Sequence, residues 1–181
     1  MEPISERDIR SSFVNSSKGD AGRLSLPEMF DAVPWSDLDF FGWVDPKLAG
    51  RSYIVVPSGD CLRGIALRYK VGGPRTAQMC SICLTTHANG GVSLMAAAKA
   101  GESGRRGNTV GTYICSDLAC SLYARKKKTP ALGRQFKEDF DVETRTAAVE
   151  DNIAAFLARV LDWSTGGRGA RAPIDDCAPM L

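Results

Sequence analysis

Two closely spaced pairs of cysteines constrain the fold of this 181-residue sequence more than any other feature. Two residues separate Cys80 from Cys83, and four separate Cys115 from Cys120. Tetrahedral zinc sites are commonly built from two such pairs, because each short turn places two thiolates about 2.3 Å from one ion. The long intervening segment then closes the other half of the site. The spacing predicts that these four cysteines bind one Zn²⁺ ion.

Two other interpretations compete with the zinc site. A C-x-x-C pair can also be a redox disulfide, although C-x4-C is not a usual redox spacing and no thioredoxin-like context surrounds either pair. His87, the single histidine, follows Cys83 by four residues and could replace one cysteine as a ligand. Four thiolates already fill a tetrahedral sphere and leave no position for water, so the predicted zinc is structural rather than catalytic.

The segments around the cysteines favour a treble-clef arrangement. Residues 92–98 and 110–114 are predicted to form a hairpin between the two pairs, and residues 117–128 a helix that starts at the second pair. Alanine-rich residues 95–100 are equally compatible with a helix on propensity alone. A turn, a hairpin and then a helix, with one cysteine pair at each end, is the order of a treble-clef zinc finger.

Other elements flank this region. Residues 1–15 predict a short helix with Ser5 as its N-cap, and residues 53–56 and 61–68 predict a hairpin around a Pro-Ser-Gly-Asp turn. Residues 142–163 predict a long amphipathic helix, because apolar residues recur there at helical spacing. A dense aromatic cluster between these elements is expected either to pack in the core or to form a partner-binding face: Trp35, Leu38, Phe40, Phe41 and Trp43.

These predictions define an α+β protein with a small mixed N-terminal lobe and a C-terminal zinc lobe. The N-terminal lobe spans residues 1–75, and the zinc lobe spans 76–163 and includes the long helix. The Gly-, Pro- and Arg-rich residues 164–181 are expected to be disordered. Outside the two pairs, Cys61 lies in a predicted strand and is expected to pack as a small apolar residue.

Charge and hydropathy narrow the classes of function. The net charge of +2 is too small for bulk charge to hold the protein on nucleic acid, so such a role needs a local patch. Residues 1–10 are acidic where a secretory peptide would be basic, and the longest apolar run, residues 153–158, is too short to cross a bilayer. We therefore expect a cytoplasmic protein, in which paired cysteines bind metal more often than they form disulfides.

The cysteine motifs resemble a known domain. Cys80-Ser-Ile-Cys83-Leu-Thr-Thr-His87 and Gly107-Asn-Thr-Val-Gly-Thr-Tyr-Ile-Cys115-Ser-Asp-Leu-Ala-Cys120 closely resemble the treble-clef domain of FusB-type elongation factor G-binding proteins, called the FBP domain. The resemblance covers roughly residues 79–161. It implies that the zinc lobe binds elongation factor G and, as in members linked to fusidic acid resistance, promotes its release from the ribosome. The first 75 residues differ from the helical N-terminal lobe of those members and resemble an actinobacterial variant.

The resemblance carries over the four zinc ligands one for one. Because the family uses the zinc-bearing lobe for contact, it also suggests partner-binding residues beside the cysteine pairs: Thr85, Thr86, His87, Arg105, Arg106, Tyr123, Arg125, Lys126 and Lys127. The sequence shows no phosphate-binding glycine loop, nucleophile–base pair or paired carboxylates, which argues against an enzyme.

Two further hypotheses compete with a factor-binding role. One is direct binding of RNA or the ribosome through the basic residues 125–128 and 105–106. Basic residues at a helix end also simply complement the helix dipole. The other is a zinc- or redox-responsive switch, which requires accessible and labile cysteines.

Overall fold

The computed structural model describes residues 1–72, 76–130 and 141–161. In chain order the elements are α1 (Glu6–Ser11), α2 (Lys18–Arg23), β1 (Phe41–Val44), β2 (Arg51–Ser58), β3 (Cys61–Tyr69), β4 (Gln78–Met79), β5 (Thr86–His87), β6 (Val92–Ala98), α3 (Gly101–Arg105), β7 (Thr109–Cys115), α4 (Cys120–Ala124) and α5 (Val142–Val160). Two short 3-10 turns, Phe30–Ala32 and Trp35–Asp37, precede β1. The mixed α+β class is confirmed.

Five strands form one antiparallel sheet in the order β1-β2-β3-β6-β7, and β4 and β5 form a separate two-stranded sheet. Both predicted hairpins are present. In the first, Ser58 pairs with Cys61 across the turn residues Gly59 and Asp60. The second joins β6 to β7, so the alanine-rich segment is a strand and not a helix. Its intrinsic helix propensity is overridden by pairing on both edges of β6.

Strand β2, between β1 and β3, is buried on both faces. Tyr53 and Val55 pack on one face among the aromatic residues near α1 and α2, whereas Ile54 and Val56 pack on the other beneath α5. Strands covered on both faces read as continuous apolar runs, which explains the Tyr-Ile-Val-Val sequence. The aromatic cluster thus contributes to cores on both faces, and Trp35 alone of its five members is less than fully buried.

The predicted division into two lobes at residue 75 is wrong. Strand β3 pairs directly with β6 through Arg68 with Ala96 and Tyr69 with Met95, so one sheet crosses the boundary. A single hydrophobic cluster also joins residues from both predicted lobes, for example Ile54 and Phe156. The predicted boundary falls in the connection between β3 and β4, within the sequence that links two strands of the same protein core.

Helix α5 covers the face of the sheet that carries the cysteines. Asp141 caps its first turn by accepting a 2.6 Å hydrogen bond from the backbone N–H of Thr144. The buried side chains recur at helical spacing and form its core-facing stripe: Val149, Ile153, Phe156, Leu157 and Val160. The long predicted helix is confirmed over residues 142–160. Helix α1 is also confirmed, with Ser5 as its cap.

Two expectations need correction and one lies outside the described residues. Helix α4 is shorter than predicted, because Leu118 adopts a left-handed conformation before it and Lys126 another after it. Cys61 is buried as expected, but it is disulfide-bonded and is therefore not a free thiol. The tail 164–181 lies outside the described residues. Among the described residues, no helix is both long and apolar enough to span a membrane.

A four-cysteine metal centre

The structure brings the four predicted ligands together from two tight turns. Cys80 follows β4 and Cys83 lies in the turn before β5, whereas Cys115 is the last residue of β7 and Cys120 the first of α4. Strand β7 pairs with β6 along its whole length, and this pairing fixes the position of Cys115 and of the second turn. The fold therefore positions one cysteine pair at the small hairpin and the other at the junction of a strand and a helix.

The sulfur atoms have the spacing that a zinc ion requires. The four Sγ atoms lie within 4.8 Å of one another. Cys80 Sγ is 3.7 Å from Cys120 Sγ, and Cys83 Sγ is 3.5 Å from Cys115 Sγ. A regular tetrahedron with Zn–S distances of about 2.3 Å has edges of ~3.8 Å. One zinc ion fits among these atoms.

Each turn is closed by a leucine with a left-handed backbone. Leu84 and Leu118 both have φ of 58°, a conformation that is uncommon for a residue other than glycine. Leu84 N–H donates to Cys80 O at 3.0 Å, and Leu118 N–H donates to Cys115 O at 2.9 Å. In the first turn the backbone N–H of Ile82 also donates to Cys80 Sγ at 3.3 Å. Such donors stabilise thiolate charge.

A bound cation would stabilise the four cysteine thiolates electrostatically. All four cysteines are fully buried. The hydrogen bond from Cys115 holds the pKa of Cys83 well below its usual range, whereas burial raises the pKa of Cys120. Four thiols in contact cannot all ionise in a buried site, because each thiolate opposes the ionisation of the next. A divalent cation removes that opposition, and thiolate sets of this kind select zinc.

His87 supports the cluster and is not one of its ligands. Its Nε2 lies 3.4 Å from Cys115 Sγ, where it can donate a hydrogen bond to the thiolate. The ring packs edge-on against Tyr123 at 4.6 Å between centroids. A side chain at Gly91 would place its Cβ 2.6 Å from the Cβ of His87, so the glycine makes room for this residue. Outer hydrogen bonds of this kind orient ligands and tune metal affinity.

Three of the predicted partner-binding residues are buried, so they do not belong to an exposed contact surface. Thr85, His87 and Tyr123 face the interior beside the cysteines. The hydroxyl of Tyr123 donates a 2.8 Å hydrogen bond to Asp117, and Thr85 accepts one from Arg145. Sequence spacing placed these residues near the cysteines correctly, but it could not show which side of the turn they occupy.

The predicted basic residues divide into two places. Strand pairs Val92 with Cys115 and Ala98 with Thr109 mark the two ends of the second hairpin. These ends are about 20 Å apart, given ~3.4 Å per residue. Arg105 and Arg106 are exposed at the end away from the metal centre and therefore do not lie beside it.

The run 125–128 lies close to the metal centre, but much of its charge is neutralised. Arg125 pairs with Asp39, Lys127 with Asp37 and Lys128 with Asp117. Lys126 is exposed. Three of the four cations in this run therefore stabilise the fold through carboxylates of the same chain.

Helix α5 supplies two contacts to the first turn that the sequence did not reveal. Arg145 is buried and donates to Thr85, and Asn152 Nδ2 donates a 3.1 Å hydrogen bond to Ile82 O. Both residues lie in a helix whose apolar periodicity was clear, but polar residues on such a helix usually face solvent. The contacts fix the first cysteine pair against the core.

A hairpin bearing one cysteine pair, a second hairpin, and a helix that begins at the last cysteine together define a treble-clef zinc-finger protein. Comparison with known proteins agrees: the chain belongs to the family described as FBP C-terminal treble-clef zinc-finger, whose model matches residues 8–160. The match extends the resemblance from the cysteine region into the N-terminal helix and sheet. The four cysteines hold one structural zinc ion.

One solved structure, that of the fusidic acid resistance protein FusC, is similar to part of this chain. The two are 22% identical over 55% of this chain and 44% of FusC, with a TM-score of 0.43. The match therefore spans less than half the length of FusC. The curated proteins contain no match to this sequence.

Proposed function

We propose that this protein is a non-catalytic cytoplasmic binding protein that associates with elongation factor G and promotes its release from the ribosome. Its membership of the FBP zinc-finger family supports this proposal. The proposal that the protein is non-catalytic rests on one observation, the closed and fully buried set of four cysteine thiolates. A catalytic zinc keeps a position for water or substrate, and four cysteine ligands leave none.

The contact surface is proposed on the exposed side of the two cysteine turns. Met79 is 57% exposed in β4, immediately before Cys80, and offers a flexible apolar anchor. Ser81 and Lys126 are exposed at the first turn and just beyond α4, and Thr86 is partly exposed in β5. This surface replaces the buried Thr85, His87 and Tyr123 of the sequence-based prediction.

Release would follow from unequal binding to two states of the factor. A protein that binds the factor better in the conformation that leaves the ribosome shifts the population toward that conformation. No bond has to be broken by the zinc protein itself. Protection against fusidic acid would be one consequence of faster release.

Calorimetry with purified elongation factor G at low and high salt tests the proposal, with zinc determined on the same sample. We expect a one-to-one complex that largely survives high salt, because apolar anchors are less sensitive to salt than ion pairs. Met79→Ala should weaken binding, while Arg105→Ala, at the far end of the hairpin, should not. Absence of binding by zinc-loaded protein would reject the proposal and leave the fold unaffected.

Direct RNA binding through residues 125–128 and 105–106 is the second candidate. The ion pairs of Arg125, Lys127 and Lys128 with aspartates weigh against it, since those cations are already neutralised. The two basic sites also lie near opposite ends of the second hairpin, which is about 20 Å long at ~3.4 Å per strand residue. They therefore do not form one continuous patch.

A further inference from the structure

One face of the five-stranded sheet is covered on one half and open on the other. Over β1 and β2, aromatic residues and the helices α1 and α2 bury it. On β6 and β7, the cross-strand partners Leu94 and Tyr113 point outward and are 52% and 45% exposed. Adjacent large apolar side chains left exposed in the middle of a hairpin indicate a contact surface.

The next row of the same face carries two arginines side by side. Arg51 pairs with Arg68, Arg68 with Ala96, and Ala96 with Gly111. Because side chains alternate along a strand, Ala96 shares a face with Leu94, and the whole row therefore shares it with Tyr113. We call this surface the open sheet face and define it by its residues: Arg51, Arg68, Leu94, Ala96, Gly111 and Tyr113.

The arginine pair is unusual because like charges directly opposite one another across two strands are destabilising. Within the described ranges, neither arginine forms a salt bridge. Arg51 interacts with the hydroxyl of Tyr53 and with Asp20 of α2, whose carboxylate already accepts hydrogen bonds from Ser17 and Arg23. The repulsion would be relieved by an anion bound between the two guanidinium groups.

A cavity opens beside this pair. Its volume is about 430 Å³, and it is lined by both arginines, by Ser16 and Thr109, and by Asp20. That size accommodates a small organic group such as a nucleotide unit. The hydroxyls can exchange hydrogen bonds with a sugar hydroxyl, and the guanidinium groups can bind phosphate in a bidentate manner.

We infer that the open sheet face binds a short single-stranded RNA segment, with phosphate at Arg51 and Arg68 and a base stacked on Tyr113. Arg68 and Tyr113 are two strands and two residues apart, or about 12 Å between their backbones, given strand spacings of ~4.8 Å and rises of ~3.4 Å. Two or three nucleotides can cover that distance. Cationic side chains combined with an aromatic platform bind unpaired bases, because every nucleotide offers a flat ring for Tyr113, whereas a carboxylate-rich peptide offers one only where it carries an aromatic residue.

This inference is independent of elongation factor G and uses none of residues 125–128. The test is fluorescence anisotropy with a labelled, non-self-complementary RNA of 12 nucleotides, titrated at several salt concentrations. Arg51→Gln/Arg68→Gln should weaken binding at least tenfold, and it should lower the slope of log K against log salt by about 1.4, the value for two single-strand phosphate contacts. Tyr113→Ala should weaken binding about tenfold through lost stacking, and Tyr113→Phe should restore it.

Lys126→Gln/Lys127→Gln is the matched control, because it removes the same charge from the other basic site and should leave affinity unchanged. The arginine double variant should retain its zinc and its thermal stability, since it relieves repulsion. No RNA binding by the unmodified chain at low salt, or an equal loss in the lysine control, would overturn the inference. Equal binding of DNA of the same sequence, or binding of a glutamate-rich peptide instead of RNA, would also overturn it.

Discussion

Arg125 holds Asp39 through two parallel hydrogen bonds, with Nη1 and Nη2 each 2.6 Å from a carboxylate oxygen. The Asp39 side chain is only 4% exposed. The backbone N–H of Asp39 also donates to Ser121 Oγ at 2.9 Å. The helix that begins with zinc ligand Cys120 is thereby fastened to the segment that leads into β1.

Replacing Arg125 by methionine should destabilise the whole chain. The buried Asp39 carboxylate would lose its partner, a change that costs about 3–5 kcal/mol in fully buried pairs and less here because Arg125 is partly exposed. We expect a decrease of roughly 2 kcal/mol in the free energy of unfolding, measured in urea. Lys126→Met, one residue on and exposed, is the control and should stay within about 0.5 kcal/mol. Equal stability of the two variants would contradict the structural role of the pair.

Loss of a zinc ligand should unfold both ends of the chain together. Zinc binding to such sites is worth on the order of 10 kcal/mol, comparable with the total stability of a domain. Because one core cluster contains both Ile54 and Cys80, we expect Cys80→Ser or Cys115→Ser to abolish zinc content and the cooperative thermal transition of the entire chain. Ser81→Ala, in the same turn, should keep both. A surviving transition in the zinc-free variants would show that the N-terminal part folds alone.

The metal site was predictable because it depends on local chemistry. Thiolates are the ligands that zinc prefers, and two short spacings bring four of them together with little help from the rest of the chain. The long helix was predictable for a similar reason, since Val149, Ile153 and Phe156 repeat at helical spacing. The pairing of β3 with β6 was not, because it depends on contacts between residues far apart in the sequence.

His87 should influence how tightly zinc is held. Removing its hydrogen bond to Cys115 with His87→Leu should raise the apparent dissociation constant for zinc by about 10- to 100-fold, the range for outer-sphere partners. Competition with a chromogenic chelator measures this. His87→Gln, which keeps an N–H donor, should restore part of the affinity. If both variants bound zinc as tightly as the original chain, His87 would serve only as packing for Tyr123.

Gly42 makes room for the second cysteine turn. A Cβ there would lie 2.7 Å from the Cβ of Leu118, so Gly42→Ala must push β1 away from the left-handed residue that closes the turn. Overpacking of this kind costs about 1–3 kcal/mol. Gly22→Ala in α2 is the matched control, because nothing lies within 4 Å of the added atom and the helix should gain up to about 1 kcal/mol. Urea denaturation should therefore show shifts of opposite sign.

Sequence patterns could not predict which of these side chains face the interior and which face solvent. Thr85, Thr86 and His87 are consecutive, yet only Thr86 is partly exposed, because the strand β5 alternates and His87 turns toward Cys115. Arg125, Lys127 and Lys128 looked like a free basic patch until the fold placed Asp37, Asp39 and Asp117 opposite them. Both outcomes depend on long-range packing, which leaves no periodic mark in a single sequence.

Stability should fall in alkaline solution partly because of Tyr53. Burial, together with the 2.8 Å hydrogen bond that its hydroxyl donates to Asp45, raises the pKa of Tyr53 to about 12. The unfolded tyrosine has a pKa near ~10, so the unfolded chain loses this proton first as the pH rises. The stabilisation is therefore complete below about pH 10 and is lost progressively between pH 10 and 12.

Tyr53→Phe should be less stable at pH 8 by about 1–2 kcal/mol, through loss of a hydrogen bond to a carboxylate. It should also show a shallower decline above pH 10, where the phenol no longer titrates. Urea midpoints at pH 8, 10 and 11 for both chains measure the difference, and parallel declines would assign the alkaline loss to other groups.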